Sequence, residues 1–234
     1  MLSDQTGKYL KYAFGEIILV VIGILIALQI NTWSQNAKDS KEENQLLVKL
    51  KVNIQSDSAT LKNNIGIIQS YLDTLKVIES EMKDETLSHF SVEISRPLIS
   101  AVQMNLETTT WENLKSTGKL SLLKNALLVD SLQMYYKQFE DVNKSWTVGF
   151  QSYNRGILAP WFFEFDDFTF FTPDRIFNKK DVQRIPPKEY GENVFFRNAV
   201  RYRIGALKSI KNIFEADLAK AISMIEMLNK EFMK

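Results

Sequence analysis

One apolar run near the start of the chain, IILVVIGILIALQI from Ile17 to Ile30, limits what everything after it can fold into. A helix needs about 20 apolar residues at 1.5 Å each to cross a ~30 Å hydrocarbon core. The flanks complete that length. From Tyr9 to Trp33 a helix rises roughly 36 Å, with Tyr9 and Tyr12 at one interface and Trp33 at the other. Lys8 and Lys11 can snorkel outward. A cleavable signal peptide is the competing reading, but the run ends in QINTWSQN, which offers no small-x-small cleavage site. The sequence therefore predicts a stub and retained transmembrane anchor over residues 1–36 and an extramembrane domain over 37–234.

Charge around the span sets the expected orientation. Lys8 and Lys11 precede it with Asp4, whereas Lys38 and Lys41 follow it among Asp39, Glu42 and Glu43. Acidic residues count little in the positive-inside rule, so the bias is small. The expectation is an inner-membrane protein with its N-terminus in the cytoplasm and its bulk in a periplasm-like space. A net charge of +1 gives no field to recruit nucleic acid. Zero cysteines exclude disulfides, thiol catalysis and thiolate metal sites.

Beyond the anchor, residues 40–83 contain no proline, and apolar residues recur at strict sevens: Leu47, Ile54, Leu61, Ile68, Leu75 and Met82. Leu50, Ile65, Leu72 and Ile78 widen the stripe, while Asp57 and Asn64 interrupt it. This predicts one long amphipathic helix, continuous with the anchor or nearly so, packed in a bundle or in an intermolecular coiled coil. A second helix is expected to start at Pro97 and run through LISAVQMN. TTTWENLKSTGKL reads as a short capped helix with Trp111 and Leu114 inward and Gly118 as its left-handed stop. From Leu122 to Ala159 the spacing predicts another long helix, aromatic toward its end. In the last forty residues Val200, Leu207, Phe214, Ala221 and Leu228 fall at sevens, with Ile204, Leu218, Ile225 and Phe232 as the companion row. The expected class is all-α: one transmembrane helix, then an up-and-down bundle of long helices with a small aromatic-rich non-helical or hairpin insertion at 159–192.

The anchor also carries a resemblance. TGKYLKYAFGEIILVVIGILIALQINTW, Thr6 to Trp33, is similar to the N-terminal signature GKYxxYAxGEIxLVxIGIxIALQINxW of an uncharacterised family of membrane proteins common in Bacteroidota. WENLKSTGKLSLLKN, Trp111 to Asn125, resembles that family's second recurrent block. The chain differs at its start, where MLSDQ stands in place of the longer basic arm usual there. The resemblance implies an inner-membrane anchor and an α-helical domain of unknown function, and it brings no activity with it.

Three features stand out as candidate sites. Glu16, Gly23 and Ala27, with Val20 and Ile30, share a narrow helical arc. A small-xxx-small pair beside an acid suits close helix–helix packing, with Glu16 partnered or protonated at the interface. The bland readings are snorkelling to headgroups or pairing with Lys8 or Lys11, and an acid at that depth can also relay protons. The second feature is APWFFEFDDFTFFTPDRIF, where Trp161, Phe163, Phe165, Phe168 and Phe170 alternate in part with Glu164, Asp166 and Asp167. So much aromatic surface must be buried, as a cap over the bundle or as a partner or ligand groove. The third is a basic face on the last helix, Arg197, Arg201, Lys208 and Lys211, suited to lipid headgroups or an acidic partner and otherwise solvated or paired.

Motifs of catalysis are missing. The lone histidine, His89, has no second histidine for a metal site or a triad. No phosphate loop, GxSxG elbow or dinucleotide fingerprint occurs. The expectation is a protein without enzymatic activity, cofactor or metal, acting by association as an assembly, scaffold or sensor subunit. Its expected partners are the lipid bilayer and a homo-oligomer or membrane-protein partner. The alternatives are a subunit of an ion-coupled transport or energy-transducing complex that protonates Glu16 cyclically, and a hydrolase using the carboxylates around Asp166.

Overall fold

The computed structural model describes residues 3–85, 92–102, 105–161 and 191–233, with side chains throughout except at 3–13, 92–95 and 147. Over these residues the chain is all-α. The first helix, α1 (Ser3–Lys83), runs 81 residues without a break, so the expected anchor segment and the first bundle helix are one element. At 1.5 Å per residue it is about 120 Å long. No proline interrupts it, and its polar outer positions are closed locally by pairs one turn apart, such as Gln35 with Asp39 at 2.8 Å and Gln69 with Asp73 at 2.8 Å.

The bundle begins well past the anchor. From Phe14 to Lys38 every residue is exposed, and the first buried one is Leu47. The row of sevens predicted for α1 is the row that is buried, Leu47 through Met82. It packs along the last helix, α5 (Val194–Glu231), and the two run antiparallel. Arg201 meets Glu79 at one end of the pair, and Lys51 lies 5.6 Å from the Phe232 ring at the other.

Between them the chain makes a descending leg, whose two short helices the sequence predicts but whose run along α1 it does not. Short helices α2 (Val92–Ile99) and α3 (Thr109–Ser116) and a 3₁₀ turn, Lys119–Leu122, step down α1 toward the anchor. Their contacts give the direction: Glu107 N–H donates to Asp57 at 2.9 Å, Thr110 to Asn53 at 2.7 Å, and Lys119 to Glu42 at 2.6 Å. The ascending leg is α4 (Ala126–Tyr153), capped by Asn125, whose side chain accepts from the Leu128 N–H and donates to Glu231 at 2.6 Å. A π-helical turn, Asn154–Leu158, continues it. The three long helices of the expected up-and-down bundle are present, and the first two are joined by this broken descending leg rather than by a short connection.

Three local expectations are corrected. α2 does not start at Pro97; it begins at Val92, carries Pro97 inside and ends at Ile99. α4 starts at Ala126, because the Asn125 cap sets its first turn and Leu122 belongs to the 3₁₀ turn. Of the companion row on α5 Ile204 is buried, but Leu218 and Ile225 are half-buried and Phe232 is exposed, while Phe196, Arg203, Ile210, Asp217 and Met224 are buried. The short helix α3 lies where expected, with Trp111 and Leu114 buried and Gly118 at φ +71° as its left-handed stop, but Thr108 stands at its N-cap position without a side-chain capping hydrogen bond. The hairpin expected within 159–192 falls largely outside the described residues.

The core divides in two. One cluster, around Leu61, Ile68, Leu75, Leu98, Phe196 and Leu207, fills the end far from the anchor. The other, around Leu50, Ile54, Trp111, Leu132, Ala221 and Leu228, fills the near end. Leu61 is fully buried, and truncating it leaves a cavity its rigid neighbours fill only in part. Leu61→Ala is expected to cost about 2–5 kcal/mol, read from denaturant midpoints at unchanged slope.

Candidate functional site

The predicted association face survives folding as an open surface. Glu16, Gly23 and Ala27 all sit on the exposed stretch of α1, and a Cβ added at Gly23 would meet nothing within 4 Å. Ile17 to Ile30 are likewise exposed, so the chain itself covers none of this run. One helix among the described residues, α1, is long and apolar enough to cross a membrane. Thr32, near its end, returns its hydroxyl proton to the Leu28 carbonyl at 2.9 Å and leaves the helix unbroken.

Two polar nodes lie inside the bundle at positions that no sequence motif marks as a site. The first separates the two apolar clusters. Asp57 on α1 is only 1 % exposed, and one carboxyl oxygen accepts the Glu107 N–H at 2.9 Å while the other accepts the Tyr135 hydroxyl at 3.1 Å. Asp217 on α5 is 4 % exposed; its Oδ1 accepts from Lys220 at 2.9 Å, and its Oδ2 finds no partner among the described residues. Tyr136 stacks on Trp111 with ring centroids 5.3 Å apart, and its buried hydroxyl is also unsatisfied. Burial holds the Asp57 carboxyl above the usual carboxylate range, against the two hydrogen bonds that lower it. Burial first, then the charge of Asp57, pushes the Tyr135 hydroxyl far up, so it keeps its proton.

The second node is Arg203, which is 1 % exposed and has no carboxylate among its described neighbours. Its Nε donates to the Pro97 carbonyl at 2.8 Å, and a terminal nitrogen donates to the Ser100 carbonyl. The guanidinium lies 4.6 Å from the Phe150 ring centroid. Asn154, at the π turn, donates to the Ile99 carbonyl at 3.1 Å. Together Arg203 and Asn154 take three carbonyls at the C-terminal end of α2, which no helix can satisfy internally. Burial pulls the guanidinium down to about 10, and the tyrosines around it oppose that fall. It remains a cation at neutral pH, held by the helix end and by ring faces.

Of the remaining sequence candidates, the basic face of α5 is divided. Arg197 and Arg201 line a cleft of about 330 Å³ with Glu79, Glu81 and Glu192, and Arg201 approaches Glu79 at 3.6 Å. Lys211 pairs with Glu215 one turn on at 3.3 Å, and Lys208 is exposed. In the aromatic segment Trp161 is buried and stacks on Phe195 and Phe196 at 5.3 and 5.9 Å. Phe163, Phe165, Phe168 and Phe170 lie outside the described residues, as does His89. Among the described residues no group of three or more His, Cys, Asp or Glu side chains could hold a metal ion.

Comparison with known proteins gives one match. Residues 16–142, more than half of the chain, fit the model of a family described as a family of unknown function. The match takes in the Glu16–Ala27 face and Asp57 and Tyr135, and stops short of Arg203 and Asp217. No curated protein and no solved structure matches.

Proposed function

From a chain that belongs to the DUF6090 family of unknown function, we propose a single-pass membrane protein that works by association rather than catalysis. It stands in the inner membrane with its N-terminus in the cytoplasm and its helical bundle on the periplasmic side, as an assembly, scaffold or sensor subunit. One observation carries this reading: α1 passes without a break from an apolar stretch that the chain leaves wholly exposed into the buried seam of the bundle. Exposed apolar surface on that scale needs lipid or a partner helix. The Gly23–Ala27 pair permits a backbone approach that larger side chains would block.

The absence of cysteine makes the test clean. Single cysteines are placed at Ala27, on the small-residue face, and at Leu25, on the opposite face of the helix, and the protein is oxidised in its native membrane. Disulfide-linked pairs are expected to accumulate with Ala27→Cys and not with Leu25→Cys. Equal cross-linking at both positions, or none at either, removes the association reading. The mass of the cross-linked particle separates a homo-oligomer from a heteromer.

A further inference from the structure

The geometry points to an anionic-lipid site at the foot of the bundle, where Lys38 and Lys41 of two neighbouring copies share headgroup phosphates and so let their α1 helices close through Gly23 and Ala27. It rests on the association reading and names what that association requires.

Helical phase places the lysines on the association face. α1 is one unbroken helix, so a position in the apolar stretch fixes the face of every position beyond it. At about 100° per residue, Lys41 returns to the face of Gly23, and Lys38 falls about 20° from Ala27. Ser34 lies between them on the same face, and all three are exposed.

Both lysines lie close to lipid in the proposed arrangement. Counted along α1 from Trp33, Lys38 stands at about 7 Å and Lys41 at about 12 Å, where headgroups reach roughly 5–7 Å beyond the hydrocarbon. The Cα–Cβ bonds of a helix tilt toward its N-terminus, which on α1 is the membrane side. Both stems therefore lean back toward the phosphates.

Neither charge is neutralised within the chain. Glu42, one turn beyond Lys38, meets Lys119 at 2.6 Å, Glu43 meets Lys124 at 3.1 Å, and Asp39 accepts from Gln35 at 2.8 Å. Among the described residues no carboxylate pairs with Lys38 or Lys41. Beside Lys41 an open groove of about 670 Å³ runs along Ser40, Asn44 and Val48, lined by α1 alone among the described residues.

Pairing of two copies sets these charges against each other. Copies inserted with one topology run parallel, so like faces meet. Helices that cross at about 20° with a closest approach of about 8 Å are about 12 Å apart at the height of Lys41, which leaves about 7 Å between facing backbones. Four ammonium groups then converge within a Debye length of about 8 Å and repel one another. The phosphodiester of an anionic headgroup drawn into that gap neutralises charge on both copies at once. A zwitterionic headgroup brings a cation of its own and relieves less.

The full-length Ala27→Cys chain is reconstituted into phosphatidylcholine vesicles with and without phosphatidylglycerol, then oxidised. Phosphatidylglycerol is expected to raise the disulfide-linked fraction at least about fivefold, the weight of one lysine at an anionic surface, and added salt to reduce the gain. Lys38→Gln with Lys41→Gln removes the repulsion, so linkage becomes equal in the two vesicles and as full as that of the native lysines with phosphatidylglycerol. Lys62→Gln, exposed and farther along α1, leaves the lipid dependence unchanged. Inorganic phosphate added to phosphatidylcholine vesicles is expected to give no gain; a gain matching that of phosphatidylglycerol overturns the lipid as the source. Equal linkage of the native lysines in both vesicles overturns the proposal and leaves the association reading standing. No linkage in any vesicle, with or without the lysines, removes both.

Discussion

Replacing Arg203 by alanine is expected to cost the protein about 3–5 kcal/mol, the largest single-residue loss in the bundle. Two effects add. The side chain is the largest fully buried one, so its removal leaves a cavity against Phe150 and Tyr153. Its departure also strips the Pro97 and Ser100 carbonyls of charged donors at a helix end, where no backbone N–H replaces them. Arg203→Met separates the two, since methionine fills most of the volume and donates nothing; about half of the loss should remain. The place of the damage is as diagnostic as its size. Hydrogen exchange should rise first in α2 and around Asn154, while the near-end cluster around Trp111 and Leu132 stays protected. A methionine variant as stable as the native chain would show that the guanidinium serves only as packing.

Removing residues 1–36 is expected to move the protein completely from the membrane fraction to the soluble fraction while the bundle keeps its helices. Nothing from Phe14 to Lys38 is buried, and the contacts nearest the anchor start at Ser40, Glu42 and Glu43, which hold Lys124 and Lys119. Those contacts are exposed ion pairs and hydrogen bonds, worth a fraction of a kcal/mol each. The thermal midpoint of the truncated chain should therefore lie within a few degrees of the full-length value. A truncated chain that aggregates or loses its cooperative transition would place part of the folding nucleus inside the anchor. Sedimentation of the two fractions and circular dichroism decide between these outcomes.

How far the fold was legible depended on whether apolar residues carried the message. The sevens from Leu47 to Met82 and from Val200 to Leu228 announced two buried seams, and both are buried. On each helix a second row completes the seam, and there polar residues replace leucine: Asp57 and Asn64 on α1, Arg203 and Asp217 on α5. A rule that reads hydrophobic period marks such positions as interruptions, so the inner row of α5 was traded for the half-buried Leu218 and Ile225. Their burial is decided by partners distant in sequence, the carbonyls of Pro97 and Ser100 for Arg203 and the Tyr135 hydroxyl for Asp57. No local pattern records such pairs. The short helices α2 and α3 were legible, but their descent along α1 was not, since they gain their place from contacts with α1 rather than from their own periodicity. The apolar stretch of α1 needed no partner to be read, because hydropathy alone defines it.

The unbroken course of α1 also makes it a lever. From Trp33 to Lys83 the helix extends about 75 Å with no joint, so under the proposed insertion the bundle would follow the apolar stretch as one body. A change of about 10° in the angle of the anchor would carry the far end sideways by about 13 Å, well inside the spread of angles that membrane helices adopt. In the proposed membrane arrangement, a small adjustment in lipid packing, or in how two apolar stretches cross, would thus arrive at the Glu79–Arg201 cleft as a displacement larger than the diameter of a helix.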